Sequence, residues 1–131
     1  MSNLTVTPFL MFSGQAEEAM NFYLSVFQPS EIIQIRRYGA NEPGTEGSVQ
    51  QASFSLKGQT IMCIDSNIKH DFTFSPAISM FVNCGSDEEI TDAFQRLSEG
   101  GSVLMPLSAY PFATKFGWVQ DKYGVSWQLS L

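Results

Sequence analysis

Few side chains in this sequence could act as acids, bases or metal ligands. His70 is the only histidine, so a histidine-rich metal site is excluded, and a Ser-His-Asp or Cys-His arrangement would have to use it. Asp65 follows an apolar run, where burial would raise the pKa of its carboxyl and make it a candidate base. The alternatives are a hydrogen bond from a turn backbone to Asp65 and plain solvent exposure of His70. These two residues are the candidate catalytic residues.

Charge and cysteine content narrow the function classes. The 131-residue chain has a net charge of −6 and one adjacent basic pair, Arg36-Arg37, so nucleic-acid binding, which needs clustered cations, is not expected. Cys63 and Cys84 lie in apolar runs and are predicted to be buried thiols in a reducing compartment, with a disulfide left open. The sequence has no apolar run of membrane-spanning length and no signal-peptide pattern, which predicts a cytoplasmic protein.

A repeated pattern indicates how the candidate residues are positioned. Two segments, PFLMFSGQAEEAMNFYLSVF at 8–27 and SMFVNCGSDEEITDAFQRL at 79–97, share an apolar run, a glycine and a pair of glutamates in the same order. In both segments the apolar spacing changes from strand-like to helical after the glycine. Ser86 and Glu89 also fit a capping box at a helix start. The chain therefore contains two copies of one strand–helix unit.

Each copy continues with three further predicted strands, which makes two βαβββ modules at 4–65 and 77–131, joined by a linker at 66–76. The segment Lys57-Gly58-Gln59 is a predicted hairpin turn. The aromatic-rich segment 107–115, LSAYPFATK, is expected to be a loop that covers a pocket. We therefore predict one α+β domain over 1–131, in which two curved sheets form a half-open barrel around that pocket.

Two βαβββ modules in one short chain resemble the vicinal oxygen chelate superfamily, which has the glyoxalase and bleomycin-resistance fold. Four segments are similar to its PhnB-like family: TPFLMFSGQAEEAMNFY at 7–23, RYG at 37–39, AIS at 77–79 and GWVQDKYGVSWQL at 117–129. The last is the most specific, and the resemblance covers nearly the whole chain. Some members are described as demethylubiquinone methyltransferases, but this sequence has no G-x-G turn of the kind that holds a nucleotide-type methyl donor.

For the metal-dependent relatives, the resemblance implies four ligands, usually His or Glu, from the first and last strands of the two modules. The resemblance and the internal repeat place Pro8, Met62, Ser79 and Gln128 at these positions. A shift of one residue would add only Cys63 as a possible ligand. Because these side chains are poor donors for a hard divalent cation, we predict no metal site and no cofactor.

Aromatic residues indicate a different use for the same positions. Phe81 lies two residues after Ser79 and therefore faces the same side of its strand, and Trp118 is a further candidate for the pocket wall. The predicted ligand pocket consists of Pro8, Met62, Ser79, Phe81, Trp118 and Gln128. A mostly apolar cavity with a few orienting polar groups is typical of small-molecule sites.

The sequence thus favours a protein that binds a small apolar or aromatic molecule without a metal. The resemblance implies a homodimer, as do the edges that half-open sheets leave to be covered. The alternative is an enzyme of the same superfamily, an isomerase, lyase or dioxygenase-like relative, in which Asp65 or His70 would supply acid–base chemistry. A third reading is a structural or regulatory dimer with a vestigial pocket. The ligand stays open, as does the choice between a pocket within one chain and one at a dimer interface.

Overall fold

The structure, a computed structural model, describes residues 4–131 and separates into two compact units. Unit 1 ends at Lys69, and unit 2 comprises His70–Leu131. Each unit contains one helix and one four-stranded sheet, so the predicted α+β class and the repeated βαβββ order are confirmed. Within the described residues, no helix is both long and apolar enough to cross a membrane.

Unit 1 contains five elements: β1 (Phe9–Phe12), α1 (Ala16–Val26), β2 (Ser30–Arg37), β3 (Val49–Leu56) and β4 (Gln59–Asp65). The strand order is β1-β4-β3-β2, with β1 parallel to β4 and the other neighbours antiparallel. The predicted β3–β4 hairpin turns tightly at Gly58, whose φ of 90° costs glycine no steric strain.

Unit 2 repeats this order with β5 (Met80–Asn83), α2 (Asp87–Ser98), β6 (Ser102–Tyr110), β7 (Ala113–Gln120) and β8 (Ser126–Ser130). Its strand order is β5-β8-β7-β6, again with one parallel pair. The predicted capping box is confirmed, because the Ser86 hydroxyl accepts a 3.1 Å hydrogen bond from the Glu89 amide. The Glu89 carboxylate reaches back to the amide of Gly85 at 2.7 Å.

The prediction of a covering loop at 107–115 is wrong, because β6 and β7 form a hairpin in this segment. Pairing extends to Ser108↔Phe116 and Tyr110↔Ala113, so only residues 111–112 lie at the turn. Register shifts in β6 disturb the alternation of apolar and polar side chains by which a strand is detected in a sequence.

The first strand of each unit has four residues. β1 begins at Phe9, and β5 begins at Met80. The predicted linker 66–76 therefore continues to residue 79 before regular pairing with β8 starts.

One face of each sheet packs against the helix of its own unit. Helix α1 packs on β3 and β4, and helix α2 packs mainly on β7 and β6. The buried helix residues are Ala16, Ala19, Met20, Tyr23 and Val26 in α1 and Ile90, Ala93 and Leu97 in α2. Packing is closest at Gly117, where a Cβ atom would overlap the Phe94 ring of α2. The opposite face of each sheet carries no helix of its unit.

Asp65, at the end of β4, holds three parts of unit 1 together. Its Oδ1 accepts hydrogen bonds from the backbone amides of Gly14 at 2.8 Å and Ala16 at 2.9 Å, and its Oδ2 accepts one from Val49 at 2.9 Å. The residue is only 3% exposed, and these three bonds offset the cost of burying a carboxylate. The predicted candidate base is therefore a structural joint between the β1–α1 turn, β3 and β4.

We expect Asp65→Asn to lower the free energy of unfolding by about 1–3 kcal/mol, because one acceptor oxygen becomes an NH₂ donor that faces a backbone N–H. Urea or thermal unfolding measures this loss. Asp71→Asn is the control, since Asp71 is exposed and the same change there should stay within about 0.5 kcal/mol. Equal stability of Asp65→Asn and the unsubstituted protein would contradict the structural role of Asp65.

Candidate functional site

The open face of the unit 1 sheet carries mostly polar side chains. Directly opposed residues on neighbouring strands project to the same face, which groups the residues that share a register. Met62 of β4 is opposite Ser53 of β3, and Ser53 is in turn opposite Gln34 of β2. Arg36 is opposite Gln51 one step along the same pair of strands.

These side chains line a groove of about 560 Å³ within unit 1, a volume in the range of small-molecule sites. The groove is lined by Thr5, Thr7, Gln34, Arg36, Gln51, Ala52, Ser53, Thr60 and Met62. Of the pocket residues predicted in unit 1, Met62 is part of this lining and Pro8 is not. The lining contains one cation and no carboxylate.

Thr7 occupies the place that the sequence repeat assigned to Pro8. β1 meets β4 at Phe9↔Met62, and β5 meets β8 at Phe81↔Gln128, so Phe81 is the counterpart of Phe9. Two residues earlier in each strand, the counterpart of Ser79 is therefore Thr7. The match of Pro8 with Ser79 was wrong by one residue.

A difference in turn length explains this slip. Counted forward from the counterparts Phe9 and Phe81, the counterpart of Phe12 is Cys84. Residues 13–15 separate Phe12 from α1, but only residues 85–86 separate Cys84 from α2. An alignment anchored on the helices therefore misplaces the strands by one residue.

Four of the six predicted pocket residues share the open face of the unit 2 sheet. Gln128 lies between Trp118 on one side and Phe81 on the other. The Trp118 Nε1–H donates to the Ser126 hydroxyl at 2.8 Å, and that hydroxyl lies 2.6 Å from the Ser79 hydroxyl. Gln128 Nε2 donates to the Ser79 hydroxyl at 3.3 Å. We call Ser79, Phe81, Trp118, Ser126 and Gln128 the unit 2 face.

Phe81 lies between this polar cluster and a group of aromatic rings. It is 58% exposed, and its ring centroid lies 6.5 Å from that of buried Phe116. Phe116 also meets Tyr110 and Phe112 edge-on, at 5.8 Å and 4.9 Å between centroids. Aromatic side chains and convergent polar atoms are therefore adjacent in unit 2.

The donor set of the two units does not fit a divalent metal ion. Within residues 4–131, no group of three or more His, Cys, Asp or Glu side chains could hold a metal. The strand positions that the resemblance links to metal ligands carry the Met62 thioether, the Gln128 amide and the hydroxyls of Ser79 and Thr7. A hard cation prefers carboxylate or imidazole donors over this set.

The remaining candidates for chemistry are His70 and the two cysteines. His70 is half-buried and stacks on Phe72, with ring centroids 4.7 Å apart. Cys63 and Cys84 are buried, as predicted, and they are not joined in a disulfide. Burial and the nearby charge of Asp65 raise the pKa of the Cys63 thiol to about 12, so this residue stays a neutral thiol at physiological pH.

The groove residues of β2 and β3 and the hydroxyl of Ser126 were not predicted as site residues. Their signal in the sequence was weak, because Gln, Ser and Thr are ordinary residues on the exposed side of a strand. The polar positions of QASFSL in β3 alternate with buried ones and mark the open face. They do not reveal that this face is concave.

Comparisons with known proteins agree with this fold. A family model described as 3-demethylubiquinone-9 3-methyltransferase matches residues 4–130. A PhnB protein from Bacillus cereus is 58% identical, with a TM-score of 0.94 over 98% of this chain and 99% of that one. Protein PA1353 from Pseudomonas aeruginosa is 27% identical, with a TM-score of 0.85 over 98% and 97%. No curated protein matches the sequence.

A more distant structure shares the fold alone. The fosfomycin resistance protein FosX from Listeria monocytogenes is 12% identical, with a TM-score of 0.69 over 99% of this chain and 94% of that one. Together with the family match, it identifies the repeated βαβββ architecture as the glyoxalase fold. The chain belongs to the family described as 3-demethylubiquinone-9 3-methyltransferase, the PhnB-like family of that fold.

Proposed function

We propose that this PhnB-like protein binds a small apolar or aromatic molecule without a metal ion. The observation that carries the proposal is the unit 2 face, where an exposed phenylalanine adjoins hydrogen-bonding groups that converge on one another. Small-molecule sites typically combine apolar and aromatic walls with a few polar groups that orient the ligand.

Phe81 supplies the apolar contact in this proposal. An exposed aromatic ring gains free energy when a ligand covers it, and a ring contact adds about 0.5–1.5 kcal/mol beyond the buried area. Phe116 supports Phe81 from below, since it is 5% exposed and packs against two further rings. The Phe81 ring is thus held in place by a packed cluster of aromatic side chains.

Gln128 supplies the polar contact. Its Nε2 is directed at the Ser79 hydroxyl, and its Oε1 accepts no hydrogen bond from any residue in the described part of the chain. The Ser79 and Ser126 hydroxyls and the Trp118 indole N–H hold one another in place. A ligand hydroxyl or N–H that donates to Gln128 Oε1 would be oriented against Phe81.

The metal-free part of the proposal follows from the donor chemistry. Met62 and Gln128 stand on the last strands of the two units, where a divalent cation would need a carboxylate or an imidazole. Neither a thioether nor an amide binds a hard cation strongly, and no neighbouring residue of those strands supplies a carboxylate on the open face.

Methyl transfer, which the family description names, is not part of the proposal because the strand–helix turns do not fit a methyl-donor cofactor of the nucleotide type. Such a cofactor needs a turn whose backbone groups are available to it. In unit 1 the amides of Gly14 and Ala16 donate to Asp65, and in unit 2 the amide of Gly85 donates to Glu89. Both turns are closed by the protein's own carboxylates.

Among residues 4–131, one observation favours the enzymatic alternative, because Asp65 lines a groove of about 430 Å³ in unit 1. However, Asp65 is only 3% exposed and both of its oxygens accept backbone hydrogen bonds, so little of the carboxylate is accessible to a substrate. His70 lies in the segment before β5 and stacks on Phe72. A binding function therefore agrees better with the observed contacts.

The two tryptophans provide a test by ¹⁵N-edited NMR with benzyl alcohol and 2-naphthol as probes. We expect the Trp118 indole N–H resonance to shift saturably, because this group lies on the unit 2 face. The Trp127 indole N–H should not move, since it is buried and bonded to Asp121 at 2.9 Å. Phe81→Ala should weaken binding about three- to tenfold.

Phe72→Ala is the matched control, because it removes another exposed ring of unit 2, whose ring contact is with His70, and it should leave the affinity unchanged. The proposal fails if neither probe moves the Trp118 resonance, if both indole resonances move together, or if Phe72→Ala weakens binding as much as Phe81→Ala.

The proposal includes a homodimer. Leu4 and Val6 are 94% and 97% exposed, and they precede β1, an edge strand whose Phe9 is half exposed. Apolar side chains along a sheet edge favour coverage by another chain. Light scattering at micromolar concentration should give about twice the 14.5 kDa chain mass, and a mass of one chain would contradict the dimer. The cytoplasmic location stays a prediction from the sequence.

A further inference from the structure

The unit 1 groove differs from the unit 2 face in its chemistry. Its lining has no aromatic ring and no carboxylate, and its six hydroxyl and amide side chains come from β2, β3, β4 and the segment before β1. Ala52 and Met62 provide the apolar part of the lining. The groove therefore offers many neutral hydrogen-bonding groups around a single positive charge, Arg36.

Arg36 and Arg37 are adjacent in sequence but differ in their contacts. Arg37 Nη2 lies 2.6 Å from Glu17 Oε2, and this carboxylate raises the pKa of the Arg37 guanidinium. Arg36 lines the groove and forms no ion pair with any residue between 4 and 131. In a protein with thirteen acidic side chains, the groove cation is thus left without a carboxylate partner.

A guanidinium matches the two oxygens of a carboxylate or phosphate group through parallel N–H bonds. Gln51 stands opposite Arg36 across the strand pair, and Gln34 lies two residues before it on β2. Their amides can orient the remaining polar groups of a bound molecule. No acidic residue is part of the lining, which favours an anion at this site over one elsewhere on an acidic protein.

We infer that the unit 1 groove binds a small molecule through an oxyanion, a carboxylate or a phosphate ester, with Arg36 as the charged contact and Gln51 as its neutral neighbour. This inference rests on the proposed function only in taking ligand binding to be the activity. It adds that the ligand is negatively charged and that it binds in the unit 1 groove rather than on the unit 2 face.

The experiment is a ¹⁵N-edited NMR titration with benzoate, phenyl phosphate and neutral benzyl alcohol at equal ionic strength. The readouts are the backbone amides of Gln34, Gln51 and Ser53 in the groove. We expect at least one of the two anions to shift them saturably and benzyl alcohol to bind there at least about tenfold more weakly. Comparison of benzoate with phenyl phosphate identifies the preferred oxyanion.

Arg36→Gln should weaken anion binding by about tenfold or more, because it removes a charge-assisted hydrogen-bond donor. Arg37→Gln is the matched control, since it removes the same charge from a side chain that does not line the groove, and it should change the affinity less than about twofold. Gln51→Ala provides a second groove variant with no change of charge and should also weaken binding. An unchanged NMR spectrum outside the groove confirms that each variant folds.

The inference is overturned if neither anion moves the groove amides, if benzyl alcohol binds there as tightly as the anions, or if Arg37→Gln is as damaging as Arg36→Gln. Failure here is distinguishable from failure of the proposed function, because the Trp118 indole N–H of unit 2 reports neutral aromatic binding independently. A response of Trp118 to benzyl alcohol with silent groove amides would overturn this inference alone.

Discussion

Buried carboxylates that accept hydrogen bonds from the backbone are the constraint on which each unit depends. Asp65 ties the start of α1 and the start of β3 to the end of β4. In unit 2, Asp121 accepts from the amides of Tyr123 and Val125 and from the Trp127 indole N–H, which holds the β7–β8 connection. A buried carboxylate requires such partners, and Asp65 and Asp121 are only 3% and 4% exposed.

This use of the buried acids decides what chemistry the open faces can offer. The helix-covered faces are apolar cores closed by Asp65 and Asp121, whereas the unit 1 groove and the unit 2 face are lined by hydroxyls, amides, a thioether, aromatic rings and one arginine. Such groups recognise a molecule by shape, hydrogen bonding and charge, and none is a strong base or a strong ligand for a hard cation. The strand–helix turns of the two units do not fit the nucleotide-type cofactor that methyl transfer would need. We therefore propose binding rather than methyl transfer as the function.

The repeat in the sequence was sufficient to predict the repeated βαβββ order, and the local spacing of Ser86 and Glu89 was sufficient to predict the capping box. These predictions succeeded because local signals such as caps, alternation and turn glycines agree with the final fold. Two predictions failed for reasons that are not local. The register slip of Pro8 arose from turns of unequal length, and the covering loop at 107–115 proved to be a hairpin with bulges.

The unit 1 groove was not predicted because no single residue type marks it. Gln34, Arg36 and Gln51 look like ordinary exposed strand residues, and only the pairing of β2 with β3 gathers them around one cavity. Arg36 and Arg37 look equivalent in the sequence. The bulge between them and the contact with Glu17 give them different surroundings.

The proposed binding function needs no metal ion, which distinguishes this protein from metal-dependent proteins of the same fold. Thermal unfolding with and without Zn²⁺, Ni²⁺ or Mn²⁺ is the most direct test of this claim. A metal present at a hundred times its dissociation constant would add about 2.7 kcal/mol to the stability of the folded state. We predict that the midpoint of unfolding is the same in EDTA and in each metal, for the unsubstituted protein and for Gln128→Ala alike. A saturable rise in the midpoint with one of these metals that Gln128→Ala abolishes would contradict the account.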